Sequence, residues 1–257
     1  MPQTVLCRFC AKPGERAEED IIPKWLARRL QKNSTDRWYP GSLVVDEAGR
    51  REQQHRPRQT AASWKLDGVC KKCNGGWMND IEDEARRSLW ELIQGHETHL
   101  SPANLIEVAR WAQLKWLCGD ALHGTPLITP ERTHAFAQAR QPFDDTLVDL
   151  ASYRSATDPF ADFVSATRSV EVTLHRDGVA VDHCELVQVT IRVRHLVLRI
   201  VGPATLRDPI GELGPPLPKF VRCWPPDRPG NLIWQAAEPL RPAELRSVLF
   251  GRPQAAR

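Results

Sequence analysis

Two cysteine pairs, each with a two-residue gap, constrain this chain more than any other feature. They are Cys7-Arg8-Phe9-Cys10 and Cys70-Lys71-Lys72-Cys73. A two-residue gap lets the backbone turn tightly, so both thiolates of a pair can face one ion at about 2.3 Å. Two such knuckles complete a closed tetrahedral site, the arrangement of structural zinc. A redox pair would need one C-x-x-C on a strand–helix unit, not two. The N-terminus MPQTVLCRFC carries no charged-then-apolar leader, so a cytoplasmic location is expected, where metal binding is the first reading of such pairs. Arg8, Lys71 and Lys72 offset the negative charge of an ion held by four thiolates. Zinc binding then acts as folding free energy for the segment it staples. The other three cysteines, Cys118, Cys184 and Cys223, read as ordinary buried thiols.

Composition narrows the class. Of 257 residues, 41% are apolar and 26% charged, which suits a globular chain and excludes a fibre or a mostly unfolded one. No apolar run approaches the 18 or more residues that cross a bilayer, so no membrane partner is expected. The formal charge of +3 is too small to imply nucleic acid by itself.

Periodicity divides the chain into three parts: residues 1–100 with the knuckles, a helical connector at 101–160, and an antiparallel β domain at 161–257 with a proline-rich tail. Pro23 suits the first turn of a helix that buries Trp25, Leu26 and Leu30 and exposes Arg28 and Arg29. Asp46 to Thr60 has no apolar period and reads as a loop. A helix is predicted from Asn79 to Gln94, capped by Asn79 or Asp80, with Glu82, Asp83 and Glu84 at the positive end of its dipole and Gly95 at its end. Ser101-Pro102 opens another helix that runs to about Leu122. A short helix is expected near 131–139 and another within Pro239 to Phe250. Val170, Val172 and Leu174 alternate with polar residues before Asp177-Gly178, a hairpin signal. Val187 to Val193 alternate too, then Leu196, Leu198 and Ile200 shift phase, which predicts a bulge near Arg194-His195. Gly202 to Leu240 reads as irregular chain.

The residues between and after the knuckles carry a more specific pattern: Glu18-Glu19-Asp20-Ile21-Ile22-Pro23-Lys24-Trp25-Leu26, and Cys73-Asn74-Gly75-Gly76-Trp77-Met78. Together they resemble the zinc-knuckle form of the HNH endonuclease superfamily, and within it a group of bacterial and phage proteins. Ala109-Arg110-Trp111-Ala112, Arg194 to Leu198, and Trp224-Pro225-Pro226 with Ile233-Trp234 are similar to later segments of that group. The resemblance implies an α+β fold with a zinc-stapled ββα unit, a helical connector and a C-terminal antiparallel sheet. It implies structural Zn²⁺ on Cys7, Cys10, Cys70 and Cys73, a catalytic Mg²⁺ or Mn²⁺, DNA as partner, and catalytic roles for Asp20, Glu19 and Asn74.

One departure matters. The position of the family's general-base histidine holds Asp20 here. An aspartate in water titrates near 3.9, a histidine at about 6.5, so aspartate is a better ligand for a hard cation than a base at neutral pH. Asp67 is a loose match for the middle asparagine of the motif. His55 could supply the missing base or be a solvated loop histidine. Glu82 could be a ligand or a first-turn acid. Trp25 and Trp77 could pack around the knuckle or stack on bases. Arg28, Arg29, Lys32 and Arg37 could meet phosphates or only water. Two functions follow: a metal-dependent DNA endonuclease, or a zinc module of the same origin that binds nucleic acid or protein without cleaving.

Overall fold

The computed structural model describes residues 3–31, 41–45, 51–55, 65–121, 126–154, 163–176, 179–205, 216–226, 230–234 and 238–250. The chain is α+β, with helices and antiparallel sheets. Strand β1 (Thr4–Leu6) pairs with β2 (Pro13–Asp20), and β2 pairs with β5 (Lys65–Cys70), all antiparallel. Between β2 and β5 come helix α1 (Lys24–Gln31) and a separate hairpin, β3 (Gly41–Val45) with β4 (Arg51–His55). The predicted loop at 46–60 therefore contains a strand, β4. The rest of that stretch, with Lys32, Arg37 and the His55 side chain, lies outside the described residues.

After β5 the chain turns straight into helix. A short α2 (Lys71–Cys73) and a π-helical turn (Asn74–Met78) lead into α3 (Asn79–Gln94). This overturns the expected cap at Asn79 or Asp80. The preceding turns already carry helical backbone bonding up to residue 79, where the Asn79 N–H donates to the Gly76 carbonyl. Asn79 Nδ2 instead donates to Asp83 Oδ2 at 3.2 Å. The far end follows the sequence: Gly95 stops α3 in the left-handed region, φ 73°. A three-residue strand β6 (Thr98–Leu100) precedes α4 (Pro102–Ala121), whose first turn is closed by Ser101 Oγ accepting from the Asn104 N–H at 3.3 Å.

Helix α4 is the centre of the molecule. Every residue from Trp111 to Asp120 is buried, as expected of a helix packed on several sides. On one side lies α3, and on another a five-stranded sheet in the order β11 (Val221–Trp224), β7 (Leu147–Ser152), β10 (Leu196–Pro203), β9 (Val179–Val193), β8 (Phe163–Arg176). Helix α5 (Pro130–Ala139) matches the short helix predicted near 131–139. Val148, Leu150, Leu196, Leu198, Ile200, Val187, Val189, Ile191 and Val193 form the sheet face that joins the α4 core. Trp116 Nε1 donates to the Val187 carbonyl at 3.0 Å, tying α4 to β9. The opposite face, with Ala151, Tyr153 and Val197, is covered by Leu245 and Leu249 of α6 (Pro242–Phe250). Asp149 on that face is fully buried between Arg199 Nη1 at 2.8 Å and Arg222 Nε at 2.5 Å.

Two expectations change here. The phase shift at Arg194-His195 is a tight turn between β9 and β10, not a bulge. Val193 pairs with Leu196, so the two apolar series belong to neighbouring strands on one face, and Arg194 takes φ 48° to make the turn. The proline-rich tail is not all irregular, since it supplies β11 to the sheet edge and β12 (Leu232–Trp234), which pairs with β6. Asp177-Gly178 lies outside the described residues, though Arg176 pairs with Val179 across it. The apolar core does not break at 100/101 or 160/161. One cluster runs from Cys7 through α4 to Trp234.

Trp116 is fully buried and bonded across to β9. Trp116→Ala is expected to cost about 3–5 kcal/mol, read as a lower urea midpoint in equilibrium unfolding.

Candidate metal centre and the strand end beside it

The first knuckle is the turn between β1 and β2. Cys7 N–H donates to the Lys12 carbonyl at 3.0 Å, and Ala11 N–H to the Cys7 carbonyl at 2.9 Å with Ala11 at φ 54°. The second knuckle is the junction of β5 and α2: Cys70 ends the strand in extended conformation and Cys73 closes the first helical turn. Arg8 N–H donates to the Gly68 carbonyl at 2.9 Å, which holds the knuckles together. Gly14 leaves room for that approach, because a Cβ there would lie 2.8 Å from Cys70 Cβ.

The four thiols meet. Their sulfurs all lie within 4.8 Å of one another, and Cys7, Cys70 and Cys73 are buried. Cys10 Sγ and Cys70 Sγ are 3.9 Å apart. Ligands 2.3 Å from a tetrahedral ion would be about 3.8 Å apart, so the spacing fits one metal. Cys70 N–H donates to Cys7 Sγ at 3.4 Å, the kind of bond that stabilises a bound thiolate. Burial pushes the Cys7 thiol up, but hydrogen bonds from the backbone of Cys10, Cys70 and Phe9 and from the Cys70 side chain more than reverse this and bring it to about 7. The Cys73 and Cys10 thiols are pushed up, chiefly by burial. A thiophilic cation would offset that by displacing their protons. Trp77 belongs to the core beside the knuckles: its ring meets Phe9 edge-on at 5.8 Å between centroids and Phe136 at 6.1 Å.

The other predicted residues gather where β2 ends. Glu18 faces out and pairs with Lys65 at 2.5 Å. Glu19 faces in. It is only 4% exposed and pairs with Lys115 of α4 at 2.8 Å, so its carboxylate is turned away from solvent. Asp20 lies at the rim, its side chain 17% exposed, with Lys24 Nζ 3.4 Å from Oδ2. Asn74 reaches β2 two residues short of Asp20, donating from Nδ2 to the Glu18 carbonyl at 2.7 Å. Glu82 is neither a plain first-turn acid nor a free ligand, since it holds Lys115 Nζ at 2.6 Å. Asp67 pairs with Arg16 at 2.7 Å on the exposed side of the sheet.

Lys115 is the residue the sequence did not disclose. Its ammonium is 1% exposed and spends its three N–H groups on Glu19 Oε1, Glu82 Oε1 and the Asp20 carbonyl at 2.9 Å. The only hint is a lysine inside the apolar run Leu114 to Cys118. Burial alone would pull the Lys115 ammonium down, but Glu19 and Glu82 hold it well above the usual lysine range. Burial pushes the Glu19 carboxyl up, aided by Glu82 and opposed by Lys115. Two carboxylates against one ammonium give the cluster a negative excess. The ammonium thus ties together the end of β2, the first turn of α3 and the middle of α4.

The chain matches no known protein family, and neither the curated proteins nor the solved structures hold a match to it.

Lys115→Met leaves Glu19 buried without its cation and is expected to cost about 3–5 kcal/mol in urea unfolding. Lys115→Met combined with Glu19→Leu is expected to cost less than Lys115→Met alone. A double variant no more stable than the single would refute the ion-pair account.

Proposed function

We propose that the protein is a metal-dependent DNA endonuclease of the HNH type, with a structural Zn²⁺ on Cys7, Cys10, Cys70 and Cys73 and with Asp20 and Asn74 at the reaction site. The observation that carries this reading is the partly exposed Asp20 carboxylate at the end of β2, the strand that Asn74, on the turn after the second knuckle, bonds two residues earlier at the Glu18 carbonyl. In support, β2 and β5 pair antiparallel, with α1 and the β3–β4 hairpin between them in the chain, and the helical run through α3 follows β5.

The atoms Asp20 and Asn74 offer are of the kind a hard divalent cation takes. Asp20 offers carboxylate oxygen. Asn74 spends its amide N–H on the Glu18 carbonyl, which leaves its Oδ1 as an acceptor. Mg²⁺ is commonly held by one or two protein oxygens with phosphate and water completing the shell. Bound there, such an ion would stabilise charge on the scissile phosphate and the leaving oxygen. The chain's own contribution is placement. Lys115 fixes the Asp20 backbone through its carbonyl, and Asn74 pins Glu18, so the strand end is held at two neighbouring points. Glu19 supports that placement through Lys115 from inside the core.

A second reading is a zinc module that binds without cleaving. One observation favours it: the Asp20 carboxylate is paired with the Lys24 ammonium, which competes with a cation for it.

Plasmid relaxation by the purified protein, with Mg²⁺, Mn²⁺, Co²⁺ or Ni²⁺, separates the two. The nuclease reading expects metal-dependent nicking or cutting that falls at least about 100-fold in Asp20→Ala at unchanged zinc content. Folded, zinc-loaded wild type that leaves the plasmid intact with every metal would establish the binding module instead.

A further inference from the structure

Helices α1 and α3 meet along a seam of stacked cations and indoles. Trp25 and Trp90 pack edge-on at 6.5 Å between centroids. The Arg29 guanidinium lies 4.4 Å from the Trp90 ring centre and 5.9 Å from that of Trp25, and the Arg86 guanidinium lies 5.5 Å from Trp25. Arg29 and Arg86 are exposed, and so are Lys24 and Arg28 on α1 and Arg87 on α3. Of the neighbouring acids on α3, Asp83 pairs with Arg86 and Glu84 with Arg110. Arg29 has stacking contacts and no ion pair among the described residues.

We infer that this α1–α3 seam is the surface that holds the phosphate backbone of duplex DNA. An arginine held over an indole can still turn N–H groups outward; Arg86 already commits part of its guanidinium to Asp83, whereas Arg29 has no ion pair among the described residues. That arrangement removes much of the side-chain entropy a phosphate contact would otherwise cost, and the guanidinium edge matches two phosphate oxygens. Five exposed cations, Lys24, Arg28, Arg29, Arg86 and Arg87, stand on these two helices, while the whole chain is only weakly basic at +3. The seam is also continuous with the candidate reaction site. Lys24, its first cation, lies 3.4 Å from Asp20 Oδ2, so a strand on the seam would pass the end of β2. The inference rests on the nuclease reading for its choice of DNA as ligand, and its test is separate from cleavage.

The experiment is fluorescence anisotropy of a labelled duplex of about 20 base pairs, titrated with full-length protein between about 50 and 300 mM salt without divalent metal. Wild type is expected to bind with an affinity that falls steeply with salt. Arg29→Gln with Arg86→Gln is expected to weaken binding about tenfold or more and to lower the magnitude of the log–log salt slope by about two. Arg28→Gln with Arg87→Gln touches neither indole contact and provides the same test without disturbing the seam's packing. Arg154→Gln, an exposed cation at the end of β7, is expected to bind as wild type does. Asp20→Ala is expected to keep its binding. DNA held by the seam without cleavage would support the inference and overturn the nuclease reading. Cleavage with binding indifferent to both seam variants would overturn the inference and leave the nuclease. No salt-dependent binding by folded wild type, or equal binding to polyglutamate of matching charge, would also overturn it.

Discussion

Four thiols drawn from turns about sixty residues apart have to reach one point, and the N-terminal half of the fold is arranged around that demand. The β1–β2 turn brings Cys7 and Cys10, and the β5–α2 junction brings Cys70 and Cys73. Between them the chain makes α1 and the β3–β4 hairpin. Such an excursion is tolerable because loop-closure entropy grows only slowly with length, and a metal clipping the ends together would recover much of it. The same junction sets the direction of the helical run through α2 and α3. The cysteine cluster thereby fixes where Asn74 sits relative to β2.

The second constraint is a buried charge. Lys115 lies in the most enclosed part of α4, and its ammonium is tolerated only because three oxygens from two other elements converge on it. Those oxygens belong to the end of β2, which carries Asp20, and to the start of α3, which follows the turn that carries Asn74. The ion pair therefore joins the part that carries the four-cysteine cluster to the helix that covers the five-stranded sheet. It gives a physical reason why one apolar cluster crosses the boundaries that periodicity marks at 100/101 and 160/161. A buried cluster of this kind adds less to stability than to registry, since only one alignment of β2, α3 and α4 satisfies all three bonds.

Much of the architecture is legible in sequence because it depends on local signals. Pro23, Ser101-Pro102 and Gly95 mark helix ends by backbone chemistry that acts over one turn, and the cysteine spacing encodes a turn in the same way. Sequence and structure part where a neighbour in space changes the outcome. Asn79 is a good cap in isolation, but the Cys73–Met78 turns already supply its helix with partners. The phase change at Arg194-His195 fits a bulge or a two-residue turn equally well, and strand pairing decides it. Glu19 reads as a site residue because it adjoins Asp20, yet alternation along β2 turns neighbours to opposite faces and sends it inward to Lys115. Lys115 itself has no local signature beyond a charge in an apolar run.

The central claim is that Cys7, Cys10, Cys70 and Cys73 bind one metal together. X-ray absorption at the zinc edge of the protein as purified tests it most directly. The account predicts one zinc per chain with four sulfur neighbours at about 2.3 Å and no nitrogen or oxygen in the first shell. A first shell containing nitrogen or oxygen, or a folded protein that carries no metal, would contradict it.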